Sequence, residues 1–341
     1  MPDQPLIILD PHPRRLDLIF RPEDRRRLES MGRVLWHEGE RASTAHIDDH
    51  LPDAVAIVGQ TDLPTERLDR ASKLRVIMNV EGNFLPNIDY ETCQQRGIHV
   101  LACAPAFAPA VAEMALLMAL ALARGIVEHD ADFRQGNERY SAASNEGCFL
   151  LRGRTLGLLG CGNVGRALLP LLRPFGCSIL VHDPWVHAHV LESMQTEPVD
   201  LDELMRRSEV LFLIAAVTTE NRHLIGSREL ALLPDGASVV LVGRSENTDF
   251  SALLAEANRG RIRAAIDVFP EEPVPADDPV RRASNVILSG HRAGGLQETY
   301  HEIGRMVADE LELILAGLPP QRMQKAIPEV VARYRSKAIG T

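Results

Sequence analysis

The stretch TLGLLGCGNVGRALLPLL, residues 155–172, restricts the fold more than any other part of the chain. An apolar run ends in Gly160, Gly162 and Gly165 at GxGxxG spacing, and a helical pattern follows at once, the context in which such a motif carries meaning. Each glycine has its own physical reason. The first allows a tight turn, the second lets backbone approach a diphosphate, and the third lets helix pack closely on strand. The amides of Asn163 and Val164 would then face the diphosphate, helped by the helix dipole. Asp183 ends the next strand, SILVHD, where a carboxylate accepts hydrogen bonds from a ribose 2′-OH and repels a 2′-phosphate. These residues predict an NAD site in preference to NADP.

The remainder of the chain keeps the rhythm of strand and helix. Before the glycine turn the apolar runs LIILD, RVLWHE, AVAIVG, RVIMNV and IHVLA alternate with charged helical stretches such as 22–31 and 89–96. ACAPAFAPAVAE interrupts the pattern; Pro105 and Pro109 suit a hinge ahead of an apolar helix over 111–123. Six further strands follow, TLGLLG, SILVHD, EVLFLIA, ASVVLVG, RIRAAIDVF and NVILSG, which fit a doubly wound dinucleotide-binding domain. The amphipathic stretch 297–315 reads as one helix returning to the first domain. The expected class is α/β with two Rossmann-like domains. Residues 105–293 form an NAD-binding doubly wound parallel sheet, and 1–104 with 294–341 form a smaller, flavodoxin-like substrate domain.

Composition narrows the partners. A chain of 341 residues suits two domains, and 45% hydrophobic with 25% charged residues is a globular balance. The net charge of −10 and the lack of a long basic stripe argue against nucleic acid, and Arg25, Arg26 and Arg27 read as a solvated helix face. The longest apolar stretch, 114–123, is half of the roughly 20 residues that a membrane span needs. The N-terminus MPDQPLIILDPHPRR lacks the basic start and apolar segment of a signal peptide, so a cytoplasmic address is expected. Cys93, Cys103, Cys148, Cys161 and Cys177 show no CxxC pairing and read as reduced thiols. His182, His187 and His189 lack a thiolate or carboxylate frame and read as loop histidines, so no metal is expected.

Three later strand ends carry chemistry. Arg244 ends VVLVGR, Asp267 ends AAID with Glu272 shortly after it, and His291 follows ILSG. All three lie where ligands of doubly wound sheets bind. Reduction of a 2-oxo acid by a nicotinamide needs these residue types. Histidine titrates nearest neutrality and can protonate the carbonyl oxygen. A carboxylate beside it stabilises the imidazolium. Arginine holds the substrate carboxylate with its planar fork.

In chain order, GxGxxG, Asp183, Arg244, Asp267 with Glu272, and His291 in GHRAGG resemble the D-isomer-specific 2-hydroxyacid dehydrogenases over nearly the whole chain, VAE at 111–113 and NID at 87–89 included. The resemblance implies that Arg244 binds substrate, that His291 is the general acid/base, that Glu272 is paired with it and that Asp267 lies near the nicotinamide. Thr218, Gly243 and Gly294 complete the implied cofactor set. A cleft at the hinge and homodimers joined through the cofactor domains are implied as well.

The substrate loop departs from the family pattern. It reads NVEGNFLPNID, with Phe84 at the place of a second glycine and Pro86 where an aspartate is common. Gly82, Asn83 and Phe84 are expected to line the pocket. Glu81 either disfavours an added anionic group such as phosphate or points to solvent. Arg292, beside His291, is a second cation that either acts on the histidine or meets a distal anion. The expected substrates are glyoxylate, hydroxypyruvate or a related small 2-oxo acid. Phosphoglycerate or phosphite dehydrogenase-like activity, or an NAD(H)-sensing binding protein of the same fold, are the alternatives.

Overall fold

The computed structural model describes residues 4–37 and 42–335. Glu38, the last residue of the expected strand RVLWHE, and the outermost residues of both chain ends lie outside them. The chain falls into two compact units, one up to Phe107 together with the residues from Gly295 onward, the other from Ala108 to Gly294.

The first unit is built on five parallel strands, β1 Leu6–Asp10, β2 Arg33–Trp36, β3 Ala54–Gly59, β4 Val76–Asn79 and β5 His99–Ala102. Their order is β5-β4-β3-β1-β2, the flavodoxin-like arrangement. β1 and β4 are buried at every residue, because helices cover both faces of a parallel sheet, and their sequences are therefore apolar runs without alternation. The helix Gln297–Leu315 buries Ile303, Met306, Val307, Leu311 and Ile314 in the same core as Ile7, Leu9, Val58 and Met78. Each such side chain contributes about 1.5–3 kcal/mol by leaving water. A two-residue strand, Gln324–Lys325, pairs antiparallel with β5; nothing in its polar sequence announces it.

The second unit holds seven parallel strands, β6 Thr155–Leu159, β7 Ser178–His182, β8 Glu197–Pro198, β9 Val210–Leu213, β10 Ser238–Leu241, β11 Arg263–Ile266 and β12 Val286–Leu288. The order is β8-β7-β6-β9-β10-β11-β12, so strand order reverses between β6 and β9, the position at which such sheets bind ligands. Six strands are expected from the sequence and a seventh is present. β8 is two residues long and ends in a proline, which confines it to the sheet edge and hides it from any periodicity.

The helix Ala104–Arg124 corrects the expected helix start, and the division between the two units, at Phe107/Ala108, falls inside it. It starts seven residues before the expected 111 and runs through both prolines. Pro105 sits in the first turn, where a missing N–H costs nothing, and Pro109 forfeits one backbone bond close to the helix start. At 21 residues this helix has the length and composition of a membrane span, against the shorter estimate from 114–123. Its Ala112, Ala115, Met118, Ala119 and Leu122 are buried in the core of the second unit.

Candidate active site

The glycine turn after β6 is shaped as its spacing predicts. Gly160 has φ +96°, and a Cβ there would lie 2.8 Å from Ala215 Cα, so conformation and space both demand glycine. A Cβ on Gly165 would lie 3.0 Å from the Gly160 carbonyl oxygen. At Gly162 the same atom would meet nothing within 4 Å, which leaves the face of the turn open to a ligand. The helix Asn163–Leu172 begins directly behind it, with its first-turn amides at the positive end of the helix dipole. Asp183, just past β7, accepts the Cys161 amide at 2.7 Å through Oδ2 and the Trp185 amide at 3.0 Å through Oδ1. Those bonds aim the carboxylate and leave lone pairs for ribose hydroxyls. The second unit thus offers an open turn, a helix start and an oriented carboxylate, and the set fits NAD. Thr218 is buried in the loop after β9, its amide donating to Asn221 Oδ1 at 2.8 Å. Gly243 follows β10, and a Cβ there would crowd Ile214 Cα at 2.9 Å.

Along the same sheet edge the residues after β11 and β12 come together. His291 Nδ1 lies 2.6 Å from Glu272 Oε2, and Glu272 Oε1 accepts the Phe269 amide at 2.9 Å. One carboxylate oxygen is held by the backbone while the other holds the imidazole. With Nδ1 so committed, Nε2 is the ring nitrogen left for proton transfer. His291 has φ +47°, uncommon for a side-chain-bearing residue, and its amide donates to the Asp267 carbonyl at 2.6 Å. Asp267 is 1% exposed, and its Oδ1 and Oδ2 accept the amides of Arg292 and Ala293 at 3.1 and 3.0 Å. That carboxylate anchors the segment carrying His291, a role beyond the placement near the nicotinamide implied by the resemblance. Arg244, half-buried, donates from Nη1 to the Gly243 carbonyl at 2.8 Å. The Arg292 side chain is exposed, and Gly294 is half-buried.

In the first unit the substrate loop differs from its expected form. Phe84 is 3% exposed, its ring edge-on to Tyr90 at 6.1 Å and stacked near Tyr334 at 6.5 Å. This ring therefore packs the core, and the expectation that it lines a pocket is corrected: an aromatic side chain next to a turn gains more by burial. Gly82 and Asn83 remain half-buried on the loop. Glu81 is neither solvent-facing nor a lone negative charge, because Arg14 Nη2 donates to its Oε2 at 3.0 Å. Burial opposes the Arg14 charge, but Glu81 and Tyr300 outweigh it and hold the guanidinium above its ordinary range. No sequence signal points to Arg14, which lies 67 residues from its partner.

Among the described residues no group of three or more His, Cys, Asp or Glu is placed to hold a metal ion. His182 Nδ1 instead contacts the Val199 carbonyl at 3.0 Å, and the rings of His187 and His189 stack at 5.7 Å.

Known proteins resemble this chain in sequence and fold. A family model for the D-isomer specific 2-hydroxyacid dehydrogenase NAD binding domain matches residues 116–293. D-3-phosphoglycerate dehydrogenase of Methanocaldococcus jannaschii is 33% identical over 270 residues, 78% of this chain, which spans only 50% of that relative. Glyoxylate reductase of Aeropyrum pernix is 33% identical over 279 residues, covering 79% of this chain and 83% of that one. Among solved structures, one described as a phosphoglycerate oxidoreductase from Rhizobium etli superposes with a TM-score of 0.86 at 41% identity, covering 95% of this chain and 98% of that one.

Proposed function

The chain belongs to the D-isomer specific 2-hydroxyacid dehydrogenase family, and on that premise we propose that Arg244, Glu272 and His291 carry its reaction. The activity is the NAD-dependent interconversion of a 2-oxo acid and the corresponding D-2-hydroxy acid. NAD, when bound, gives up or accepts a hydride at its nicotinamide. Gly160, Gly162, Asn163, Val164 and Gly165 hold its diphosphate, Asp183 its ribose, and Thr218, Gly243 and Gly294 complete the site. In the reductive direction Arg244 pairs with the substrate carboxylate through two N–H groups and fixes C2 for attack. As C2 gains hydride, the carbonyl π pair moves onto oxygen, which takes the proton from His291 Nε2. Glu272 stabilises the imidazolium that this requires. The His291–Glu272 contact at 2.6 Å, with Glu272 fixed by the Phe269 amide, carries this reading.

Gly82 and Asn83 of the smaller unit receive the substrate carboxylate through their backbone. The substrate is a small 2-oxo acid, glyoxylate or hydroxypyruvate, the compounds for which several relatives are named. A phosphorylated acid of the phosphoglycerate type is the second reading. It is favoured by the names of two relatives and by Arg14, which cancels the Glu81 charge otherwise set against phosphate. The enzyme works in the cytoplasm as a homodimer. Leu117, Ile126, Val127, Phe133, Tyr140 and Leu150, each at least 50% exposed on one stretch of the cofactor unit, supply the apolar surface that a second copy would cover.

The test is NADH consumption, with NADPH in parallel, across 2-oxo acids from glyoxylate and hydroxypyruvate to branched, aromatic and phosphorylated ones. Turnover of a small 2-oxo acid supports the reading. NADH binding without turnover of any acid on the panel rejects it.

A further inference from the structure

The buried pair of Arg14 and Glu81 is only half used. Arg14 Nη2 donates to Glu81 Oε2, while Arg14 Nε and Glu81 Oε1 are buried with no hydrogen-bond partner. The two side chains are 11% and 6% exposed. Such a pair is a poor source of stability, because desolvating two charges offsets their attraction and each open polar atom adds a penalty. Its place in the fold gives it another use.

Glu81 directly precedes Gly82 and Asn83, and its backbone is pinned on both sides. Its amide donates to Asn79 Oδ1 at 2.7 Å, and its carbonyl accepts from the Cys103 thiol at 3.2 Å. Asn79 Nδ2 in turn donates to the Asn83 carbonyl at 3.1 Å. The Arg14 guanidinium lies 5.4 Å from the centre of the Phe107 ring and 4.9 Å from that of Tyr300. Those rings hold the cation independently of the carboxylate. The loop therefore rests on two opposite charges, each with its own support.

We propose that Arg14 and Glu81 form a charge filter beneath the substrate loop, their balance setting how this enzyme discriminates between singly charged 2-oxo acids and phosphorylated ones. The proposal rests on the reading that Gly82 and Asn83 receive the substrate carboxylate. Charges of opposite sign act oppositely on the same bound anion, so removing either one alone shifts selectivity in opposite directions. Glu81→Gln keeps the shape of the side chain and leaves Arg14 uncompensated, which favours added negative charge. Arg14→Met keeps an apolar stem against Phe107 and Tyr300 and leaves Glu81 uncompensated, which disfavours it.

The experiment compares kcat/KM for hydroxypyruvate and for its 3-phosphate, with NADH, in the wild type, both single variants and the double variant. The ratio of phosphorylated to plain substrate is expected to rise on the order of tenfold in Glu81→Gln, to fall by a similar factor in Arg14→Met, and to return near the wild-type value in the double variant. A merely structural pair would lower both substrates by one factor, or move the ratio the same way in both variants; either result overturns the proposal. If Arg14→Met does not fold, an unchanged ratio in Glu81→Gln is sufficient to overturn it. Failure of the wild type to reduce any 2-oxo acid while it binds NADH would instead remove the underlying activity, a result distinct from an unmoved ratio.

Discussion

Glu272 grips His291 with one oxygen and the Phe269 amide with the other, at 2.6 and 2.9 Å. The imidazole is thereby oriented by a carboxylate that is itself oriented. Glu272→Gln keeps the size of the group and removes its charge. The expected outcome is a fall in kcat of about a hundredfold with the KM for NADH little changed, since a positioned acid/base pair contributes on that order. Steady-state kinetics check it.

Asp267 contributes by holding the backbone. Asp267→Asn replaces one acceptor oxygen by an NH2 group facing the amide of Arg292 or Ala293, so a buried donor is left without a partner. Stability is expected to fall by about 1–3 kcal/mol, read as a lower urea midpoint. kcat should fall as well, because the segment that carries His291 loosens.

The proposed role of Asp183 is to set the choice of cofactor. Asp183→Ser removes the charge that repels a 2′-phosphate while keeping a hydroxyl to accept the Cys161 amide. The kcat/KM ratio of NADPH to NADH is expected to rise by about tenfold or more. A ratio that stays at the wild-type value would show that discrimination lies elsewhere in the turn.

The glycine turn and the apolar strands are legible in the sequence because their causes are local. GxGxxG is a statement about one turn, and a strand buried on both faces must be apolar at every position. Contacts between distant residues leave no such trace. Arg14 meets Glu81 only because β1 and β4 flank β3 in the sheet, and the motif PHPRR says nothing of that. Phe84 reads as a pocket residue for the same reason, since its partners Tyr90 and Tyr334 come from a helix start and from the far end of the chain. The helix is expected to start only at 111 because local rules penalise proline in helices, whereas Pro105 sits in a first turn that tolerates it and Pro109 close behind. The histidine and glutamate of the site are legible as residue types; that the Phe269 amide fixes the glutamate is not.

The cysteines should separate by burial. Desolvation pushes the Cys93 thiol up to about 12 and raises that of the wholly buried Cys103. Both stay protonated through neutral pH and are expected to resist alkylation in the native protein, because only the thiolate reacts. Cys148 and Cys177, only partly buried, should be labelled first. Mass spectrometry after a timed iodoacetamide pulse, native against urea-unfolded, distinguishes the two classes.

The most direct test of His291 as the proton donor is His291→Gln, measured by turnover of hydroxypyruvate with NADH alongside NADH binding by fluorescence. On the proposal that His291 donates the proton and the glycine turn binds the cofactor, the expected result is a loss of kcat of about a thousandfold or more with the affinity for NADH nearly intact. A variant that keeps turnover within a few-fold of the wild type would contradict it, and the proton would then have to come from another group.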